Sequence, residues 1–148
     1  MENIWDLEKK RIKSDEGLML KPYRCTEGHL TVGYGHKVVI GDASGIKSER
    51  DPPISKEKAE QLFETEFAYA KNSVVKKYPG YHPRAQAILI NMTFQLGEAG
   101  VAKFQNMHAA IQRRDYVTAA KEMRNSKWHL QTKNRCERLA ADMQSITH

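Results

Sequence analysis

A chain of 148 residues is long enough for one compact domain or two small lobes sharing a core. Apolar residues make up 40% and charged residues 28%, ordinary for a globular protein, and no run of 18 apolar residues exists to span a membrane. The net charge of +6 favours a polyanionic partner, nucleic acid or an anionic wall polymer, and charge alone does not choose between them.

Asn3 to Glu16 reads as a first helix, with Ile4, Leu7 and Ile12 as a loose apolar stripe and Gly17 as its stop. From Leu18 to about Ile40 the pattern turns to short strands. His29 to Tyr34 alternates there, and Gly28, Gly33 and Gly35 mark bends. Gly41 to Pro53 is polar and rich in glycine and proline, so it reads as a loop. Ser55 opens a long helix running to about Tyr78, in which Ala59, Leu62, Phe63, Phe67, Ala70 and Val74 recur at three- and four-residue steps. His82-Pro83 starts the next, with Pro83 at the first helical position. Apolar residues from Ala85 to Leu96 cover nearly all its faces, which marks a core helix, and Gly97 and Gly100 end it. Shorter helices follow near Asn106–Gln112, Tyr116–Arg124 and Lys133–Ile146. Asp115 is a candidate N-cap for the second, and Cys136, Leu139, Ala140 and Met143 stripe the last.

The expected fold is α+β, a single domain over 1–148. A small N-terminal lobe (about 14–54) carries a short antiparallel sheet, and a long helix joins it to a mainly helical lobe (1–13 plus 55–148). Two such lobes leave a cleft, where ligands usually bind. The charged start from Met1 to Lys10 lacks an apolar signal core, so the expectation is cytosolic synthesis without a secretory leader. Cys25 and Cys136 are too few for a disulfide scaffold and stay reduced in that compartment.

The chemistry concentrates in Asp15-Glu16-Gly17-Leu18-Met19-Leu20-Lys21-Pro22-Tyr23-Arg24-Cys25-Thr26-Glu27-Gly28-His29-Leu30-Thr31-Val32-Gly33-Tyr34-Gly35-His36. Glu16 closes a helix just before glycine-punctuated strands that carry Cys25 and Thr31. A carboxyl held there over a small sheet can act as a general acid, although a lone glutamate at a helix end is usually only a solvated charge. Cys25, His29, His36 and Cys136 are soft metal ligands, but their spacing fits no common zinc pattern, so neither metal nor cofactor is expected. Between Lys103 and Arg138 nine basic residues face three acidic ones, a surface a nucleic-acid-binding module would also present.

Three strings in order resemble the phage-type (T-even) lysozyme family, over nearly the whole chain. They are the segment above, Ala87-Ile88-Leu89-Ile90-Asn91-Met92-Thr93-Phe94-Gln95-Leu96-Gly97-Glu98-Ala99-Gly100-Val101-Ala102-Lys103-Phe104, and Ser126-Lys127-Trp128-His129-Leu130-Gln131-Thr132-Lys133-Asn134-Arg135. The resemblance implies a lysozyme-like fold and an endolysin N-acetylmuramidase that cuts peptidoglycan between N-acetylmuramic acid and N-acetylglucosamine. It implies Glu16 as general acid, Thr31 as the residue that positions the attacking water and Phe94 as a cleft aromatic on the substrate. Arg135 would pair with the catalytic glutamate across the cleft, and His36 would be structural. The plainer readings are a core phenylalanine, a surface arginine and an ordinary strand threonine.

Cys25 departs from the pattern, standing where the family usually has aspartate. Inverting glycosidases normally use two carboxyl groups. Three readings stay open: the thiol takes the aspartate's role, the change leaves a weakened enzyme, or a neighbour such as Glu27 takes over. With no signal or anchor read in the chain, the further expectation is a monomer that waits in the host cytoplasm and then acts on the wall. It would insert in no membrane, bind no specific nucleic acid and be released by a separate holin.

Overall fold

The computed structural model describes residues 3–147. These fall into two compact units, one of Lys9–Tyr69 and one of the residues up to Glu8 with those from Ala70 onward. Helices α1 (Ile4–Glu16) and α2 (Lys56–Lys77) each contribute to both.

In the Lys9–Tyr69 unit, β1 (Met19–Arg24), β2 (Leu30–Gly33) and β3 (His36–Lys37) form an antiparallel sheet in the order β1-β2-β3. Tyr23 lies opposite Thr31 and Val32 opposite His36, with an irregularity between Met19 and Tyr23. Leu30 and Val32 pack with Ile46 and Leu62, flanked by Val38 and Ile54. Alternation in the sequence predicts one covered face for β2, yet all four of its residues are buried. As the central strand it has no free edge, and Thr31, on the opposite face from Leu30 and Val32, is covered as well.

The stripe expected on α1 is corrected. Leu7 is 40% exposed, whereas Glu8 is buried beside Ile12, one turn on. The buried carboxylate is tolerated because Asn91 Nδ2 donates to its Oε2 at 2.8 Å.

The segment between β3 and α2 has no strand or helix, and side chains supply its hydrogen bonds. Asp42 accepts from the backbone N–H groups of Val39 (2.9 Å) and Ser44 (2.8 Å). Asp51 accepts from the Lys47 N–H at 2.6 Å. Lys21 Nζ, from β1, donates to the carbonyls of Glu49 (3.2 Å) and Asp51 (2.5 Å).

On α2 the six predicted core positions are all buried. Helix α3 (Pro83–Ala102) opens at His82, whose ring accepts from the Arg84 N–H, and Ala85 to Met92 are buried without a break. At Gly97 the backbone turns to φ 75° and ψ 166°. The expected stop is therefore a break, after which helical turns resume to Ala102. Then come α4 (Gln105–Gln112), α5 (Tyr116–Arg124), α6 (Lys127–Gln131) and α7 (Lys133–Gln144). Asp115 caps α5 by accepting from the Thr118 N–H at 3.1 Å. Five-residue α6 is too short to register as a periodic pattern, and Ser126 caps it through the His129 N–H. Cys136, Leu139, Ala140 and Met143 of α7 are buried, with α5 packed against them. Among the described residues, no helix is long and apolar enough to cross a membrane.

Candidate active site

Glu16 is the last residue of α1 and is half-buried. Gly17 ends the helix in the left-handed region, at φ 73°, and its N–H returns to the Lys13 carbonyl at 2.9 Å. The carboxyl of Glu16 lies against the bare Cα of Gly35 in the turn between β2 and β3.

Cys25 follows β1 at the mouth of a tight loop. Its N–H donates to the His29 carbonyl at 2.9 Å, and its carbonyl accepts from the Gly28 N–H at 2.8 Å. The loop turns backbone N–H groups toward the sulfur. The Glu27 N–H above all, then the His29 N–H and the Thr31 hydroxyl, hold the thiol below its ordinary pKa, against a smaller upward pull from burial and from the Glu27 charge. The Thr31 hydroxyl also donates to the His29 carbonyl at 2.9 Å. It carries one hydrogen, so it serves the sulfur and the carbonyl in turn.

Tyr23 is a member of this cluster that the motif reading missed. Burial raises its pKa, and negative charge on Cys25 and on Glu16 raises it further, so Tyr23 lies within electrostatic reach of each of them. Its position opposite Thr31 is a matter of strand register, which a motif does not express. Glu27 is exposed, with its carboxylate 3.7 Å from His29.

His36 is wedged between two carboxylates. Nδ1 meets Glu66 Oε1, and Nε2 meets Asp42 Oδ2 at 2.9 Å. The Glu66 hydrogen bond raises its pKa, outweighing burial, with Asp42 adding to the rise. Burial pulls Asp42 upward, yet hydrogen bonds from Ser44, Val39 and His36 hold it well below the usual carboxylate range.

In the helical unit Phe94 is half-buried on α3, three residues before the Gly97 break. Arg135 is fixed by Asn91, with Nε at 3.0 Å and Nη2 at 2.8 Å from Oδ1. Trp128 Nε1 donates to Gln95 Oε1 at 2.8 Å, and Gln95 Nε2 donates to Thr132 Oγ1 at 3.0 Å. This ties α3 to α6 and to the start of α7. Beside it lies a groove of about 420 Å³ that the sequence reading did not foresee, lined among others by Phe104, Met107 and Trp128, with Lys103, Lys127 and Glu122. Phe104 and Trp128 meet edge to face at 6.1 Å. Both cysteines are free thiols. Cys136 is buried and donates to the Met123 carbonyl, and desolvation pushes its pKa up to about 11. Among the described residues no group of three or more His, Cys, Asp or Glu is placed to hold a metal ion.

The sequence profile of the family described as "Phage lysozyme" matches residues 13–141. The chain is similar to "Probable T4-type lysozyme 2" of Dictyostelium discoideum, 31% identical over 160 aligned positions that cover 94% of each chain. It is 35% identical to part of "Pre-baseplate central spike protein Gp5" of Enterobacteria phage T4, over 86% of this chain and 26% of that one. It is 29% identical to part of "Peptidoglycan hydrolase gp36" of Pseudomonas phage phiKMV, over 87% of this chain and 14% of that one. A profile match across most of the chain, on an α+β fold with a three-stranded antiparallel sheet, means that the chain belongs to the phage lysozyme family and is a lysozyme-like cell-wall hydrolase.

Proposed function

We propose that this hydrolase is an endolysin-type N-acetylmuramidase, cutting the β-1,4 bond between N-acetylmuramic acid and N-acetylglucosamine in peptidoglycan. The observation that carries this reading is the gathering around Tyr23 of an acid, Glu16, a thiol of lowered pKa, Cys25, and, opposite it in the sheet, the hydroxyl of Thr31. Glu16 gives its proton to the glycosidic oxygen as the bond from that oxygen to C1 breaks. Water oriented by Thr31 adds to C1 and passes a proton to the Cys25 thiolate. Proton exchange with solvent then resets both groups. A lowered thiol pKa fits this role, since only the thiolate can accept the proton.

Phe94 contacts the glycan in this reading. Arg135, its guanidinium held by Asn91, falls by the family resemblance on the arginine that serves the catalytic glutamate, and His36, held between Glu66 and Asp42, has the structural part. The printed names of relatives, "lysozyme" and "Peptidoglycan hydrolase", support the substrate class. The biological role that follows is lysis of a bacterial host by a monomer that waits in the cytoplasm until a holin opens the way to the wall.

Glu16→Gln keeps the side chain's shape and removes its donatable proton. Turbidity clearing of outer-membrane-stripped cells should fall by about a hundredfold or more, with the melting temperature little changed. A purified variant that keeps most of its lytic rate rules Glu16 out as the acid.

A further inference from the structure

We infer that Gly35 is a positioning residue for the acid: its missing side chain leaves the seat in which the Glu16 carboxyl lies. The inference rests on the reading of Glu16 as general acid. A Cβ at Gly35 would overlap Glu16 Oε1, and would stand 3.0 Å from Cδ and 3.4 Å from Cβ of that residue. It is the carboxyl itself, not only its stem, that fills the volume a side chain would take.

Backbone conformation alone does not account for this glycine. Gly17, Gly28, Gly41 and Gly45 also have positive φ, and a Cβ at any of them meets nothing within 4 Å. Gly33, two residues away at φ 71°, would make only ordinary contact with Ala59 Cβ, at 3.6 Å. Gly35, at φ 69°, is alone among these seven positive-φ glycines, Gly97 included, in having a carboxyl against it. Glu16 sits at a helix end followed by a glycine, so its own helix restrains it little beyond Cα. The turn between β2 and β3 then supplies the missing wall. A proton donor must hold its oxygen in one direction relative to the bond it cleaves, and a backbone wall does this without a second side chain that must itself be ordered.

Gly33→Ala is the matched control, since it imposes similar backbone strain without touching Glu16. Gly35→Ala should lower kcat on soluble peptidoglycan fragments by roughly ten- to a hundredfold with KM within about twofold, because displacement of about 1 Å costs that much. Gly33→Ala should keep kcat within about threefold of the parent. In carboxyl-labelled protein the Glu16 carbon resonance, identified by its loss in Glu16→Gln, should move in Gly35→Ala and stay in place in Gly33→Ala. Melting temperature adds a readout independent of activity. The Glu16 carboxyl is the far end of a flexible side chain and swings aside at small cost, so Gly35→Ala and Gly33→Ala should lose similar amounts of melting temperature, the backbone strain being alike.

Equal kcat in the two alanine variants, a loss confined to KM, or an unmoved resonance each overturns the role of Gly35. If those results come with an inactive Glu16→Gln, only the positioning role falls. If Glu16→Gln is active, the acid assignment falls and the inference with it.

Discussion

Asn91 and Arg135 share a single oxygen. Two guanidinium nitrogens converge on Asn91 Oδ1, and the same amide turns its nitrogen to Glu8. The amide can face only one way, acceptor toward the arginine and donor toward the carboxylate. Glu8 and Asn91 are both buried, at 3% and 0% exposure. Asn91→Leu keeps the bulk and removes all three of these side-chain bonds. It should cost about 1–3 kcal/mol for each partner deprived, read as a lower midpoint in urea unfolding. A midpoint equal to the parent's would mean the network adds nothing to stability.

Cys25 and Cys136 should differ sharply in reactivity. The thiolate is the nucleophile, and Cys25 is partly exposed with a lowered pKa while Cys136 is buried with a raised one. A stoichiometric alkylating reagent should modify Cys25 first and stop turnover, with substrate protecting. A Cys136→Ser background should behave the same way. Cys25→Asp should stay active and resist the reagent. Its rate should also persist to lower pH, since a carboxylate is ionised where the thiol is still protonated. Cys25→Ala as fast as the parent would show that the thiol takes no part.

His36 gives stability a sign that can be tested. Its folded pKa lies above the ordinary value near 6.5, so its pairing with Glu66 and Asp42 stabilises fully below that pH. The contribution fades as pH rises through the folded value. The melting-temperature gap between the parent and His36→Gln should therefore be widest at about pH 5–6 and narrow toward about pH 9. A gap that widens with pH would mean that the histidine is bound neutral.

Salt should weaken wall lysis. Arg113 pairs with Asp115 at 3.5 Å, and Glu137 is shared by Arg124 at 3.1 Å and His129 at 2.7 Å. Lys103, Lys121, Lys127 and Lys133 remain exposed for a polyanion to meet. Exposed charges are screened within roughly 10 Å at 0.1 M, so clearing rates should fall as salt rises beyond that. A flat profile up to about 1 M would remove the electrostatic argument.

Helices α2 and α7 were legible because burial of one face leaves its period in the residues themselves, as at Phe63, Phe67 and Ala70 or Leu139 and Met143. Glu8 was illegible because a buried carboxylate looks like a surface charge until its distant partner Asn91 is known. Glu16, Cys25 and Thr31 stood out as a spaced string. Tyr23 and Gly35 did not, since register and the close approach of two backbone segments bring them in. The links from His36 to Glu66 and from Trp128 to Gln95 join residues about 30 positions apart, where no local pattern reaches.

The Lys21 clamp changes how the segment from Asp42 to Asp51 meets a protease. Lys47 and Arg50 are exposed and look like trypsin sites, but nicking is argued from how the backbone is held, and this stretch is pinned by Lys21 at one flank and by two aspartates within. Asp42 and Asp51 both titrate below the ordinary carboxylate range. The aspartate contacts therefore hold through mild acid and weaken as pH falls through their lowered values, while the Lys21 bonds, made to carbonyls, do not titrate with them. A segment without helix or strand should thus resist digestion as a folded element would, and trypsin cutting the folded protein at Lys47 or Arg50 would show that these bonds do not hold it.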